Sequence, residues 1–180
     1  MNYYNQALPS LSMGEALKLA TSRLTQFSGR SRRSEYWWTV LAVMAVSIVL
    51  SFLLLLSLFI GEGAILITSI LVNLISLFLS LAMLPLTFRR LHDAGHSALW
   101  LLPMPVFSVA IVIASAIESQ SVMGFQDGAL WIYLFFYCLV CLVYGIVLLV
   151  FTCQDSQPYT NRYGESPKYP QRQANYKQKY

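Results

Sequence analysis

Four long apolar stretches without ionisable side chains decide what this chain can fold into. They lie at about residues 36–60, 64–88, 98–117 and 129–153, and none of them contains Asp, Glu, Lys, Arg or His. Each holds at least about 20 residues, enough to cross a hydrocarbon core of about 30 Å as a helix. Because lipid offers no partners to backbone polar groups, only helices and closed barrels span membranes, and a barrel would alternate polar with apolar residues. The sequence therefore predicts an all-α, polytopic membrane protein with four transmembrane helices.

The low charge content and the tryptophans support this prediction. Charged residues make up 11% of the chain, less than half of the share of about a quarter that is usual in soluble domains. All four tryptophans fall near the ends of the stretches, as in an aromatic belt at the headgroup layer: Trp37, Trp38, Trp100 and Trp131. The net charge of +4 does not indicate nucleic-acid binding, because that function needs a solvated basic face on a soluble fold.

The basic residues indicate the orientation. All twelve Lys and Arg lie in residues 1–35, at positions 89–90 or in residues 154–180, whereas the connections 61–63 and 118–128 contain only acidic charges. Cytoplasmic flanks of membrane spans carry an excess of Lys and Arg, so both termini are expected in the cytoplasm. The organisation predicted is a cytoplasmic segment at 1–35, a four-helix domain at 36–153 and a cytoplasmic tail at 154–180. The first apolar stretch is too long for a cleavable signal peptide and is expected to remain as a span.

Residues 12–27 have the pattern of an amphipathic helix. Ser12 and Glu15 form a capping-box motif, and apolar residues recur at helical spacing from Met13 to Phe27, with Lys18 and Arg23 elsewhere around the helix. We expect this helix to lie on the inner membrane surface. The alternative is a short helix packed on the cytoplasmic end of the bundle. At the other terminus, about a dozen final residues lack apolar periodicity and are predicted to be disordered.

Three segments outside the spans resemble a known family. They are Phe27–Trp37 (FSGRSRRSEYW), Arg89–Ser97 (RRLHDAGHS) and Asp155–Pro167, which contains Asn-Arg-Tyr-Gly at 161–164. In order and spacing they are similar to the bacterial domain-of-unknown-function family 805, the YhaH-like inner membrane proteins, over about residues 20–168. His96 and Glu165 depart from the family pattern. The resemblance implies a multi-pass protein of the bacterial inner membrane, and it implies no established activity.

The same segments supply the candidate site. Six arginines at the cytoplasmic ends of the spans form a basic collar that we expect to contact anionic lipid headgroups or a partner: Arg30, Arg32, Arg33, Arg89, Arg90 and Arg162. The alternative is that they are topology anchors that extend to lipid phosphates. A second set is expected to be structural: Glu35, His92, Asp93, Asn161, Tyr163 and Gly164. Within it, Glu35 or Asp93 is predicted to pair with an arginine from another segment.

Metal, redox and acid–base chemistry are not expected. His92, Asp93 and His96 could suggest a metal ion, but Gly95 favours a turn between the histidines and the loop offers too few ligands. No nucleophile or second acid–base group stands beside His92. Cys138 and Cys141 lie within an apolar span, where thiols are inert. We therefore expect no metal, no cofactor and no enzymatic activity.

A polar stripe in the second span bears on the alternatives. Ser69, Asn73, Ser76 and Ser80 share one helical face, and we expect it to face the bundle interior, with Asn73 bonded to a neighbouring helix. The leading hypothesis is a membrane protein that binds anionic lipid headgroups or a partner. A small channel or transporter subunit is the alternative, against which the absence of intramembrane charge counts. A membrane enzyme acting on a lipid near His92 is a third hypothesis, and homo-oligomerisation is left open.

Overall fold

The computed structural model describes residues 7–103, 109 and 129–169. The regular elements in these ranges are helices: α1 at Met13–Ser22, α2 at Arg33–Ser57, α3 at Glu62–Asp93, a 3₁₀ helix at Ala98–Leu101 and α4 at Ala129–Cys153. Three of them contain stretches long and apolar enough to cross a membrane, namely Arg33–Ser57, Glu62–Asp93 and Phe135–Cys153. The prediction of a helical membrane protein is confirmed at this level. Most of the predicted span at 98–117, and nearly all of the final residues predicted to be disordered, lie outside the described residues.

Two helices extend beyond their apolar stretches. α2 begins at Arg33, and α3 continues through Arg89 and Arg90 to Asp93. The predicted spans ended at the first charge because charged groups leave the hydrocarbon region. The helical backbone has no such reason to stop, and α3 ends only before Gly95, whose φ of +86° suits a glycine. The last turn of α3 therefore holds charged residues in helical register.

α1 begins as predicted and ends earlier. The carboxylate of Glu15 accepts a hydrogen bond from the Ser12 N–H at 2.9 Å, and the Ser12 hydroxyl accepts one from the Glu15 N–H at 3.4 Å, which confirms the capping box. The helix stops at Ser22 rather than at residue 27. Ala16 and Ala20 are buried, and these small side chains let α1 approach α2 closely. The position of α1 on a membrane surface stays a prediction.

The polar stripe of α3 does not face inward in the described part of the chain. Asn73, Ser76 and Ser80 are exposed there. The Asn73 amide donates to the Ser69 carbonyl of its own helix at 2.8 Å, and the Ser80 hydroxyl donates to Leu77 at 2.8 Å. Because Ser and Asn side chains can bond to carbonyls one turn earlier, they need no neighbouring helix. In the described part of the chain Asn73 bonds within its own helix, and its predicted bond to a neighbouring helix stays a prediction.

Three helix ends meet at one end of the molecule. The backbone N–H of Ser31, just before α2, donates to the Arg89 carbonyl in the last turns of α3 at 3.1 Å. The Arg90 side chain donates to the Thr152 carbonyl in the last turn of α4 at 3.0 Å. The start of α2 and the ends of α3 and α4 are therefore neighbours, and the candidate site lies among them.

Candidate functional site

A buried carboxylate, Asp93, joins the three segments that carry the family resemblance. Its Oδ1 accepts from Arg30 Nε at 2.9 Å, and its Oδ2 accepts from Arg90 Nη1 at 2.6 Å. Oδ2 also accepts a bond from the Ser156 hydroxyl of the tail. The Asp93 side chain is completely buried. The prediction that this acid pairs with an arginine from another segment is confirmed by Arg30.

Arg30 fastens the tail to the end of α3. Its Nη1 donates to the carbonyls of Tyr159 at 2.9 Å and Gly164 at 3.3 Å. Its Nη2 donates to the Gln157 carbonyl at 2.6 Å and to the backbone carbonyl of Asp93 at 3.3 Å. With the bond from Nε, the donors of one planar guanidinium hold the tail in place, which a lysine ammonium could not do.

Arg90 closes the end of α4. Its Nε donates to the Thr152 carbonyl at 3.0 Å, and its Nη2 donates to the Gln154 carbonyl. The last carbonyls of a helix have no intrahelical donor, so a buried cation is a suitable partner for them. Arg90 also donates to the Ser31 carbonyl at 3.3 Å and thereby reaches the start of α2.

Arg89 and Glu35 form a second buried pair with longer contacts. Arg89 Nη2 lies 3.4 Å from Glu35 Oε1, and its Nη1 lies 3.3 Å from the Arg23 carbonyl. Both side chains are at most 3% exposed. Arg89 Nε has no hydrogen-bond partner in the described part of the chain. This pair confirms the pairing predicted for Glu35, and it is less completely satisfied than the bonds around Asp93.

These five side chains, Arg30, Glu35, Arg89, Arg90 and Asp93, are called the ion cluster below. The three arginines of the ion cluster are 0–5% exposed. Their hydrogen-bonded N–H groups donate to carbonyls and carboxylates of the same chain. An anion outside the protein does not reach buried guanidinium groups. The expected contact with headgroups is therefore corrected for these three arginines, which hold segments of the protein together instead.

The tail forms a tight turn against His92. Asn161 and Gly164 exchange backbone hydrogen bonds at 3.1 and 3.0 Å, and the Asn161 amide donates to the His92 carbonyl at 2.9 Å. Tyr163 stacks on the His92 ring with centroids 3.7 Å apart, and Arg162 lies 4.6 Å from the Tyr163 centroid. The structural set predicted from sequence thus comes together, with Arg162 exposed at its edge.

His92 and His96 face different surroundings. The His96 ring stacks on Phe151 at 3.8 Å, and its Nε2 lies 2.7 Å from Gln154 Oε1. No group of three His, Cys, Asp or Glu side chains that could hold a metal ion occurs among the described residues. His92 lines a cavity of about 510 Å³ together with Phe27, Phe88 and Tyr163. The nearby acids Glu35 and Asp93 are engaged with arginines rather than with this ring.

Sequence reasoning missed the residues that meet Asp93 and Gly95 from the tail. The Gln157 N–H donates to the Asp93 carbonyl at 3.1 Å. A Cβ on Gly95 would lie 2.0 Å from Gln157 Nε2. Gly95 thus allows the tail to approach the α3 end, besides adopting a positive φ. Ser156 and Gln157 lie in a polar tail without periodicity, so no local pattern could have identified them.

A second feature lies beside the ion cluster and is called the basic cavity below. It has a volume of about 250 Å³ and is lined by Leu8, Ser10, Arg32, Arg33, Ser34 and Lys168. Asp155 Oδ1 lies 3.0 Å from Arg33 Nη2 and 2.7 Å from Lys168 Nζ. Arg32 donates to the carbonyls of Leu8 and Pro9. Lys168, in the tail, was not singled out from the sequence.

The charges at the basic cavity do not balance. Burial tends to raise the pKa of Asp155, but hydrogen bonds from Lys168 and from the Ser156 backbone, with the charge of Arg33, outweigh burial and lower that pKa. Burial likewise tends to lower the pKa of Lys168, and its bonds to Asp155 and Tyr169 outweigh burial and raise it. Both groups are therefore ionised at neutral pH. Asp155 lies within salt-bridge distance of Arg33 and Lys168, whereas Arg32, the third cation at the cavity, has no carboxylate at that distance among the described residues.

Comparisons with known proteins match this chain to one family. A family model described as "Protein of unknown function (DUF805)" matches residues 24–165. The "Inner membrane protein YhaH" of Escherichia coli (strain K12) is 29% identical over 143 residues, which cover 79% of this chain and 87% of that protein. The "Inner membrane protein YhaI" of the same strain is 31% identical over 144 residues, with 79% and 86% covered. No solved structure gives a significant match.

Proposed function

The chain belongs to the DUF805 family of proteins of unknown function, and on this premise we propose that it is a non-enzymatic inner-membrane protein that binds anionic lipid headgroups at the basic cavity. The relatives are named inner membrane proteins, and three helices here are long and apolar enough to span a membrane. The ion cluster is assigned a structural role: it joins the tail to the helix ends and thereby places Lys168 beside Arg32 and Arg33.

One observation carries the proposal: three cations line one cavity, and among the described residues Asp155, which bridges Arg33 and Lys168, is the one carboxylate within salt-bridge distance of any of them. Cations near an anionic membrane surface each favour binding by about 1 kcal/mol. The cavity also lies at the start of α2, where Arg33 is the first helical residue. The first N–H groups of a helix lack intrahelical partners, so they and the helix dipole favour a phosphate there. A phospholipid headgroup supplies that phosphate.

We propose four membrane crossings with both termini in the cytoplasm. The start of α2 and the ends of α3 and α4 are in contact, and α4 has 25 residues, or about 37 Å as a helix. A chain that leaves the end of α3 and later returns to it through α4 has to reach the opposite side first. Residues 98–117 are the apolar stretch that can make this crossing, and the basic residues then mark the cytoplasmic side.

The test uses the purified full-length protein in mild detergent. Native mass spectrometry would count bound phosphatidylglycerol and bound phosphatidylcholine with the same acyl chains. We expect phosphatidylglycerol to bind better, and Arg33→Gln to weaken that binding about fivefold, the equivalent of about 1 kcal/mol. Arg162→Gln is the matched control, because it removes an exposed arginine outside the cavity. Equal losses in both variants, or no preference between the lipids, would contradict the proposal.

No observation favours the other functions considered. The polar stripe of α3 is largely exposed in the described part of the chain, so it does not line a path through a bundle there. His92 lines a cavity, but the carboxylates that could assist it are paired with arginines.

A further inference from the structure

An apolar groove of about 280 Å³ lies between α1, α2 and α3. Its walls include Leu17 of α1, Leu24 just after α1, Ala42 and Val46 of α2, and Phe78 and Ala82 of α3. The two threonines in these walls are already bonded: the Thr21 hydroxyl donates to the Leu17 carbonyl at 2.8 Å, and the Thr39 hydroxyl to the Glu35 carbonyl at 2.8 Å. The groove therefore offers no free hydroxyl donor to a polar occupant.

The groove exists because α1 and the turn after it are held at two places. Ala16 and Ala20 are buried where α1 meets α2. Beyond the helix, Phe27 packs edge-on against Phe88 of α3 with ring centroids 5.2 Å apart, and Arg89 donates to the Arg23 carbonyl. Between these attachments the side chains of α1 do not fill the space above α2 and α3. The groove thus results from the two sites at which α1 and the turn after it contact α2 and α3.

We propose that this groove holds one acyl chain of an anionic phospholipid whose phosphate lies against Lys18 or Arg23. The walls from α2 and α3 belong to helices apolar enough to span a membrane, where the surrounding solvent is acyl chain. A water molecule needs about two to four polar partners, which the groove does not provide. An unfilled space of this size would forfeit dispersion contacts along three helices. A lipid chain supplies those contacts.

The cations of α1 and of its C-terminal cap favour an anionic headgroup. Lys18 and Arg23 are exposed, and neither lies within salt-bridge distance of a carboxylate in the described part of the chain. Arg23 directly precedes the groove residue Leu24 and follows Thr21 by two positions. At helical spacing, Lys18 and Arg23 flank opposite sides of the residues by which α1 lines the groove, so the phosphate of a lipid whose chain enters the groove can reach one of them. The inference rests on the proposed location in a lipid bilayer, but the groove and the basic cavity share no residue.

Native mass spectrometry of the full-length protein, extracted in mild detergent, tests the groove. We expect the wild-type protein to retain one phospholipid that Ala42→Phe, which fills the groove, displaces at least about fivefold. Ala45→Phe is the matched control, because Ala45 is exposed on the same helix and does not line the groove. Equal retention in both variants would overturn the proposal.

Two further measurements separate the parts of the inference. Lys18→Gln with Arg23→Gln should lower the preference for phosphatidylglycerol over phosphatidylcholine without abolishing retention, whereas Arg33→Gln should leave the groove lipid in place. If Ala42→Phe fails to fold, wild-type protein is reconstituted with phosphatidylglycerol that carries a photoactivatable group at one chain end. Labelling of residues 17–24 and 78–83 supports the groove. Labelling of Leu74 and its exposed neighbours without these residues would overturn it.

Discussion

At the residue scale, Asp93 is the side chain on which most of the candidate site depends. It is completely buried, and its two oxygens accept bonds from two guanidinium groups and one hydroxyl. Bonds between charged groups are stronger than neutral ones when water is excluded. Replacing one member of this network leaves its charged partners buried without a counter-charge. The loss of folding stability should therefore exceed the contribution of any single contact.

Asp93→Asn is expected to lower the free energy of unfolding by about 3–5 kcal/mol, because Arg30 and Arg90 would lose their shared counter-charge. Thermal unfolding of the purified protein in detergent measures the change. Asp155→Asn provides the comparison, since its side chain is 46% exposed, and exposed pairs contribute at most about 1 kcal/mol. Similar losses in the two variants would mean that burial of Asp93 has no energetic consequence.

Gly95→Ala should lower the free energy of unfolding by about 1–2 kcal/mol, the cost of a left-handed conformation for a residue with a side chain. The φ of +86° and the nearby Gln157 side chain are the reasons. The same thermal measurement applies. Gly14→Ala is expected to be neutral or slightly stabilising, because Gly14 is helical and nothing lies within 4 Å of its added methyl group. An unchanged stability of the Gly95→Ala protein would contradict the need for glycine where the tail approaches the end of α3.

The pairing of Glu35 and Asp93 with arginines could be predicted from the sequence, because acids among several cations near the same helix ends are expected to pair. Which arginine pairs with which acid could not be predicted. Arg30 is 63 residues from Asp93, and only the meeting of helix ends brings them together. For the same reason the burial of Arg30, Arg89 and Arg90 was missed: basic residues next to spans usually face lipid phosphates.

At the element scale, the length of the apolar stretches predicted which segments are helices, but it did not predict where each helix ends. α4 has the bounds predicted for the fourth span, since apolar residues continue to Cys153. α3 runs to Asp93 because its final turn is covered by the tail and by residues preceding α2. The bonds of the polar stripe within α3 were not predicted, because periodicity shows which residues share a face and does not show whether their polar groups bond within the helix.

The tail is expected to loosen when Arg30 is replaced by Lys, because one ammonium group cannot reach the carbonyls of Gln157, Tyr159 and Gly164 together. A loss of about 1.5–3 kcal/mol from bonds to a charged group corresponds to at least a tenfold rise in tail opening. Limited chymotrypsin cleavage near Tyr159 and Tyr163 in detergent reports this opening.

Arg162→Lys serves as the control for this experiment, since Arg162 is exposed and contacts only the Tyr163 ring among the described contacts. Its cleavage rate should match that of the wild-type protein. Equal protection of the Arg30→Lys tail would show that the hydrogen bonds of Arg30 do not hold this element.

At the scale of the whole molecule, the basic residues of the described ranges lie towards one end, while the apolar helices extend away from it. The ion cluster and the basic cavity both lie where α2 begins and where α3 and α4 end. The turn between α2 and α3, near Gly61, lies at the other end of this pair. This arrangement agrees with the proposed orientation, in which the basic end faces the cytoplasm.

Single-cysteine variants test the orientation in sealed right-side-out membrane vesicles. With the native cysteines replaced, a membrane-impermeant maleimide should label Glu62→Cys and should label Thr160→Cys only after the vesicles are permeabilised. Both positions are exposed in the structure, so failure to react reflects the membrane barrier. Labelling of Thr160→Cys in sealed vesicles would reverse the proposed topology.

The shared carboxylate of Asp93 also sets an order of events during synthesis. Its partners precede α2, end α3 and follow α4, so they leave the ribosome at widely separated times. A nascent chain that has already inserted its first helices still lacks Ser156 and the tail carbonyls that Arg30 and Arg90 bind. Arg30 and Arg90 therefore lack their partners in the tail until the segment after α4 has been synthesised, and the helix ends become fully joined only then.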